Sequence, residues 1–172
     1  MIWKIILNIF LLLFFFILQN SFFSFLPIVV YLNLLLVWLI FARLNGYLVD
    51  ANFFGLAVAA GVFMDFFSSH PFGFYILVMF SWALFFNWLT RRFLNLNLFL
   101  ILLLSFLGCF GYLMAILLLE RLLFFAHLIN LVSVLDKLFF SKSFQIIVLN
   151  VLFISLLFAG FSRLVKVKSF IK

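Results

Sequence analysis

Six apolar segments, parted by short polar breaks, follow one another along the chain, and this pattern restricts the fold more than any single residue does. They run approximately over residues 2–18, 28–42, 53–67, 72–90, 98–119 and 144–161. A helix needs roughly 20 apolar residues to cross about 30 Å of hydrocarbon, so 172 residues hold about six such helices and leave no room for a separate soluble domain. With 70% hydrophobic residues, 9% charged residues and a mean hydropathy of +1.48, the chain has too little polar surface to cover a soluble globule. The sequence predicts an all-α integral membrane protein with about six transmembrane helices in a single polytopic domain over residues 1–172. The second and third segments are short, and so extend into flanking residues or meet locally thinned lipid.

Basic residues set the orientation. With the N-terminus in the cytoplasm, Lys4, Arg43, Arg91, Arg92, Arg163, Lys166, Lys168 and Lys172 lie inside, and Arg121, Lys137 and Lys142 outside. This distribution satisfies the positive-inside rule and puts both ends in the cytoplasm. The net charge of +7 is thereby assigned to span ends, and nucleic acid is not an expected partner. Lys4 followed by Ile5 to Leu18 is similar to a signal peptide, but Gln19-Asn20-Ser21 supplies no small-x-small cleavage site, so the segment reads as an uncleaved first span. Beyond the fifth span, His127, Asn130, Ser133 and Lys137 share about a third of the helical circumference, which predicts an outer amphipathic helix over residues 122–135.

The polar residues inside the apolar segments are few and informative. Between Gly61 and Leu77 the chain reads GVFMDFFSSHPFGFYIL, and Asp65 is one of only four acidic residues. A carboxylate left at bilayer depth costs about 2.5–3.5 kcal/mol, so Asp65 requires a turn, water or a partner. Three roles are open to it: a structural cap on the Ser68–Ser69 region or on the start of the fourth helix, a partner contact, or transport chemistry. Ala57, Gly61 and Asp65 recur every four residues, and Gly108, Gly111 and Ala115 repeat the device in the fifth segment; such faces suit close helix packing or a substrate groove. Pro71 suits the first turn of the fourth helix, and Gly73 lets a neighbouring backbone approach. Glu120 ends the fifth segment beside Arg121 as an interface charge, while Asn87 and Asn150 lie deeper, where an amide bridges helices or meets a ligand. The single cysteine, Cys109, excludes an internal disulfide and reads as a packing residue. His70 and His127 carry no metal-ligand spacing, and no P-loop, nucleophile elbow or close acidic pair is present. The expectation is a protein with no enzymatic activity, cofactor or metal.

The run from Gly61 through Asp65 to Gly73, entering a fourth span with Tyr75, resembles the rod-shape-determining membrane protein family MreD. The resemblance extends to Lys4 and Gln19 around the first span, Pro27 and Asn33-Leu34-Leu35 opening the second, Arg43-Leu44-Asn45, Arg91-Arg92, Glu120, Leu149-Asn150 and Arg163-Leu164, and so covers nearly the whole chain. It implies a non-enzymatic, multi-pass inner-membrane subunit of the bacterial elongation complex. Such a subunit helps control cell shape and lateral peptidoglycan synthesis with the bitopic protein MreC, and links MreB filaments to cell-wall synthases. On that reading Gly61, Asp65, Gly73, Tyr75, Gly108, Gly111, Glu120 and Asn150 are candidates for structural or partner contacts, and the basic tail touches anionic lipid or cytoplasmic partners. MreD-like chains also resemble the six-helix substrate-binding subunits of energy-coupling-factor transporters. The alternative function is therefore a vitamin or small-molecule transport subunit, although loops as short as Ser68 to Pro71 offer little material for a polar pocket.

Overall fold

In a computed structural model the described residues are 2–21, 33–45, 48, 50–68, 70–93, 98–125 and 137–169, with side chains placed for residues 9–19, 21, 33–45, 48, 50–68, 70–93, 99–125 and 144–160. They form six helices and no strand: α1 (Ile2–Ser21), α2 (Leu34–Leu44), α3 (Asp50–Phe66), α4 (Phe74–Arg91), α5 (Leu98–Phe125) and α6 (Lys137–Ser169). Leucine- and phenylalanine-rich runs without an interior proline account for their continuity.

Packing centres on the shortest helix. α2 has 11 residues, about 16 Å of helical rise, and nine of them are buried. α1, α3, α5 and α6 all touch it, while α4 packs against α3 and α5. Phe53, Trp82, Phe86, Leu104 and Ile154 join it in the core, each at most 1% exposed. Trp82 and Phe86 stack at a centroid distance of 5.3 Å, and Trp82 donates its indole N–H to the Gly108 carbonyl at 2.8 Å, tying α4 to α5.

The outward faces are apolar as well. Phe10, Phe14 and Ile17 on α1, Leu77, Phe80, Leu84 and Trp88 on α4, Phe99, Phe106 and Leu118 on α5, and Leu152 and Leu156 on α6 are all exposed. Two helices among the described residues, Phe74–Arg91 and Phe99–Phe125, are long and apolar enough to cross a membrane.

Several boundaries depart from the sequence reading. α1 continues three residues past Leu18. α2 starts at Leu34, behind an Asn33 cap whose side-chain oxygen accepts the Leu36 N–H at 3.1 Å; residues 28–32 of the expected span lie outside the described residues. α4 begins at Phe74, so Pro71 sits in the turn before the helix and not in its first turn; Gly73 serves no close backbone approach, since a Cβ there would meet nothing within 4 Å, and its role is the left-handed conformation, φ +99°, that the helix cannot include. α5 runs through Glu120 to Phe125, because neither Glu120 nor Arg121 breaks a helix and the apolar run resumes beyond them. The first four residues of the expected outer amphipathic segment thus continue α5, and 126–135 lie outside the described residues. α6 begins at Lys137, seven residues before the expected start, over a stretch free of glycine and proline.

α3 and α4 form the closest pair. A Cβ at Gly61 would stand 2.7 Å from both the Ile76 Cα and the Tyr75 carbonyl oxygen, backbone atoms that cannot turn aside. Ala57 and Ala60, both 0% exposed, extend the same small surface. Gly61→Ala is expected to push the two helices apart and cost at least about 1–3 kcal/mol, read as a lowered unfolding midpoint in detergent, whereas Gly55→Ala, with open space around it, leaves the midpoint unchanged or raised.

Candidate functional site

The close approach at Gly61 carries Asp65, one helical turn later, against the start of α4. An α-helix leaves its first N–H groups without intrahelical acceptors, and the residue at the α4 N-cap, Gly73, has no side chain to supply one. Asp65 supplies acceptors from the neighbouring helix. Its Oδ1 accepts the Tyr75 N–H at 2.8 Å, and its Oδ2 accepts those of Gly73 at 3.0 Å and Ile76 at 3.2 Å. The Phe74 N–H goes to the Pro71 carbonyl at 3.1 Å, and the Leu77 N–H closes the first regular turn on Gly73 at 3.1 Å. Every donor from Gly73 to Leu77 is therefore satisfied. The carboxylate is only 5% exposed, and three N–H bonds together with the positive end of the α4 dipole offset its burial.

The turn between these helices reaches a third one. The His70 ring stacks on Phe74 at 4.5 Å and meets Tyr75 edge-on at 5.6 Å. Its Nε2 lies 3.2 Å from Oε1 of Glu120 on α5, while the His70 backbone N–H donates to the Ser68 hydroxyl at 3.3 Å. Glu120 is thus a largely buried group facing the turn, with its side chain 14% exposed, and not a solvated charge at a helix end. Its Oε2 is buried without a hydrogen-bond partner among the described residues.

The other candidates bind helices together. A Cβ at Gly108 would meet the Phe86 ring at 2.8 Å, and one at Gly111 the Phe85 ring at 2.7 Å, so both glycines admit aromatic side chains of α4. Asn150, fully buried on α6, accepts the Asn33 N–H at 2.9 Å and donates to the Ile146 carbonyl at 2.6 Å. Gln19 of α1 accepts the Leu34 N–H at 3.1 Å. The N-terminus of α2 is consequently served by side chains from two other helices. Cys109 is buried, in keeping with a packing role.

At the far end of α2, α3 and α4 the sequence analysis missed a second polar cluster. Asp50 opens α3 and accepts from Arg43 of α2 at 2.6 Å and from Arg91 of α4. Arg43 also donates to the Leu48 carbonyl at 2.8 Å and to the Asn87 amide oxygen, and its guanidinium lies 5.5 Å from the Phe53 ring centroid. Partial burial pushes the Asp50 carboxyl up, but the hydrogen bonds and charges of Arg91 and Arg43 outweigh it and hold it below the usual carboxylate range. The signal was available: alternating helices place Arg43, Asp50 and Arg91 on one side, and an acid opening a helix there has two arginines to choose from.

Chemically, both clusters hold backbone and side chains in place. No group of three or more His, Cys, Asp or Glu side chains able to hold a metal ion occurs among the described residues. A cleft of about 480 Å³ between α4 and α5 is lined by Ser81, Phe85, Phe110, Met114 and Leu118 among others and contains no ionisable side chain. Comparison with protein-family models, with curated proteins and with solved structures finds no match to this chain.

Two outcomes follow from these clusters. Asp65→Asn keeps the shape but replaces one acceptor oxygen by a donor, and is expected to cost about 1.5–3 kcal/mol in detergent unfolding, the worth of a bond to a charged group. For Asp50, a folded-state value below the unfolded one means that its contribution is complete at neutral pH and is lost as pH falls below about 4. Stability measured from pH 7 to pH 3 should decline less steeply in Asp50→Asn than in the parent.

Proposed function

We propose that the chain is a multi-pass, non-enzymatic scaffold subunit of the bacterial inner membrane, of the MreD type, acting with MreC in the elongation complex and linked through it to MreB filaments and cell-wall synthases. The observation that carries the reading is the joint action of Gly61, Asp65 and Gly73. These residues bear the resemblance in sequence, and in space they build one device: a close helix pair, a remote cap and a left-handed turn. That device presents a rigid edge, formed by the end of α3, the turn and the start of α4, with exposed Phe66, Phe67 and Phe72 beside it. An apolar edge of this kind suits a partner helix or domain, whereas the α4–α5 cleft lacks the set of convergent polar groups that would orient a small-molecule substrate. The apolar outward faces of α1, α4, α5 and α6 support a place in the membrane, and the distribution of Lys and Arg along the sequence supports both ends in the cytoplasm.

The experiment is affinity purification of the tagged chain from its native envelope in mild detergent, with mass spectrometry of co-eluting proteins. Near-stoichiometric MreC is the expected result; paired ATPases with a coupling membrane subunit would replace this reading by transport. Asp65→Leu, compared at equal protein level, is expected to retain less MreC, and unchanged retention would remove the α3–α4 edge as the contact.

A further inference from the structure

We infer that the Arg92 end of α4 docks the phosphate-bearing headgroup of an anionic phospholipid. This rests on the membrane reading above and assigns to it a specific site. Phe80, Leu84, Trp88 and Arg92 fall at every fourth position and are all exposed, so they form one row along the outward face of the helix. The row passes from purely apolar side chains to an amphipathic indole and ends on a guanidinium. Trp88 thus marks the depth of the membrane–water interface, and Arg92 lies one turn beyond it. The Arg92 guanidinium is 4.8 Å from the Trp88 ring centroid, which holds it over the row.

The local charge is unbalanced. Arg43 and Arg91 share the single carboxylate of Asp50, and Arg92 makes no ion pair among the described residues, leaving three guanidinium groups against one acid. The carbonyls at the end of α4 are the negative pole of its dipole, so the attraction for an anion comes from the side chains and not from the helix end. Arg91, with its side chain 61% exposed, retains N–H groups beyond the one donated to Asp50. A guanidinium presents paired donors to phosphate oxygens. The phosphate belongs to a lipid because the apolar row leads directly into the cationic end: a headgroup at Arg92 leaves its acyl chains against Leu84 and Phe80.

The test is quenching of Trp88 fluorescence, taken as the difference between the parent chain and Trp88→Phe, in phosphatidylcholine vesicles. These contain brominated phosphatidylglycerol or brominated phosphatidylcholine at equal mole fraction. The anionic lipid is expected to be enriched about fivefold at Trp88, the weight of one basic residue near an anionic surface. The excess should vanish in Arg92→Gln and persist in Arg92→Lys. Equal quenching by both lipids would overturn the site while leaving the membrane reading intact. No quenching by either would remove the membrane reading and the site with it. Loss of the excess on adding inorganic phosphate at matched ionic strength would show that the site prefers free phosphate, and would overturn its assignment to lipid.

Discussion

Three backbone N–H groups converge on the carboxylate of Asp65, and the arrangement around α4 depends on that convergence. α4 opens on a glycine and has no cap of its own, so without Asp65 three of its first donors would lose the acceptor that the neighbouring helix supplies. The carboxylate in turn has no other bonded partner among the described residues. The donors make the burial of the acid tolerable, and the acid caps the helix that supplies them. Gly61 brings the backbones close enough for the bonds to form, Gly73 adopts the dihedral that turns its N–H toward the acid, and the turn so fixed sets His70 against Phe74 and within reach of Glu120.

The opposite end of the bundle solves a different problem with different chemistry. There three helices end or begin near water, and side-chain charges join them instead of a cap. Asp50 stands between two arginines from different helices, and Asn87 takes a further donor from Arg43. Exposed ion pairs in water contribute little, but Arg43 is largely shielded and bonded to four groups, among them a backbone carbonyl and an aromatic face. The hairpin of α3 and α4 is therefore held at one end by a carboxylate without a side-chain cation and at the other by a carboxylate with two.

Helix number and order were legible because each apolar run is bounded by charged, amide or proline-containing breaks. The small-residue face leading to Asp65 was legible as well, since a period of four fixes which residues share a side. Helix ends were less so. Glu120 and Arg121 have the composition of a terminus, yet α5 continues through them, because both residues are good helix formers and the apolar run resumes beyond. The Arg43–Asp50–Arg91 cluster was missed because each residue was read against the membrane alone. Sequence spacing ties none of them together; only the return of the chain to the same side does. The resemblance that suggested a function concerns the Asp65 turn, where a period of four and a glycine placed before a helix were both readable in the sequence.

If the bundle sits in a membrane, as proposed above, the shortness of α2 has a consequence for how it tolerates variation in membrane thickness. A helix of about 16 Å cannot match the hydrocarbon width by itself. Surrounded by α1, α3, α5 and α6, it never has to: its first donors are received by Gln19 and Asn33, while Asn150 takes the N–H of the cap residue itself, and the arginine in its last turn is bound at the polar end. Its neighbours form a sleeve that, in the proposed membrane setting, would meet the lipid in its place. In the proposed membrane setting the centre of the protein would thereby be insulated from the thickness of the bilayer, and only the outer helices would tilt or lengthen to follow it.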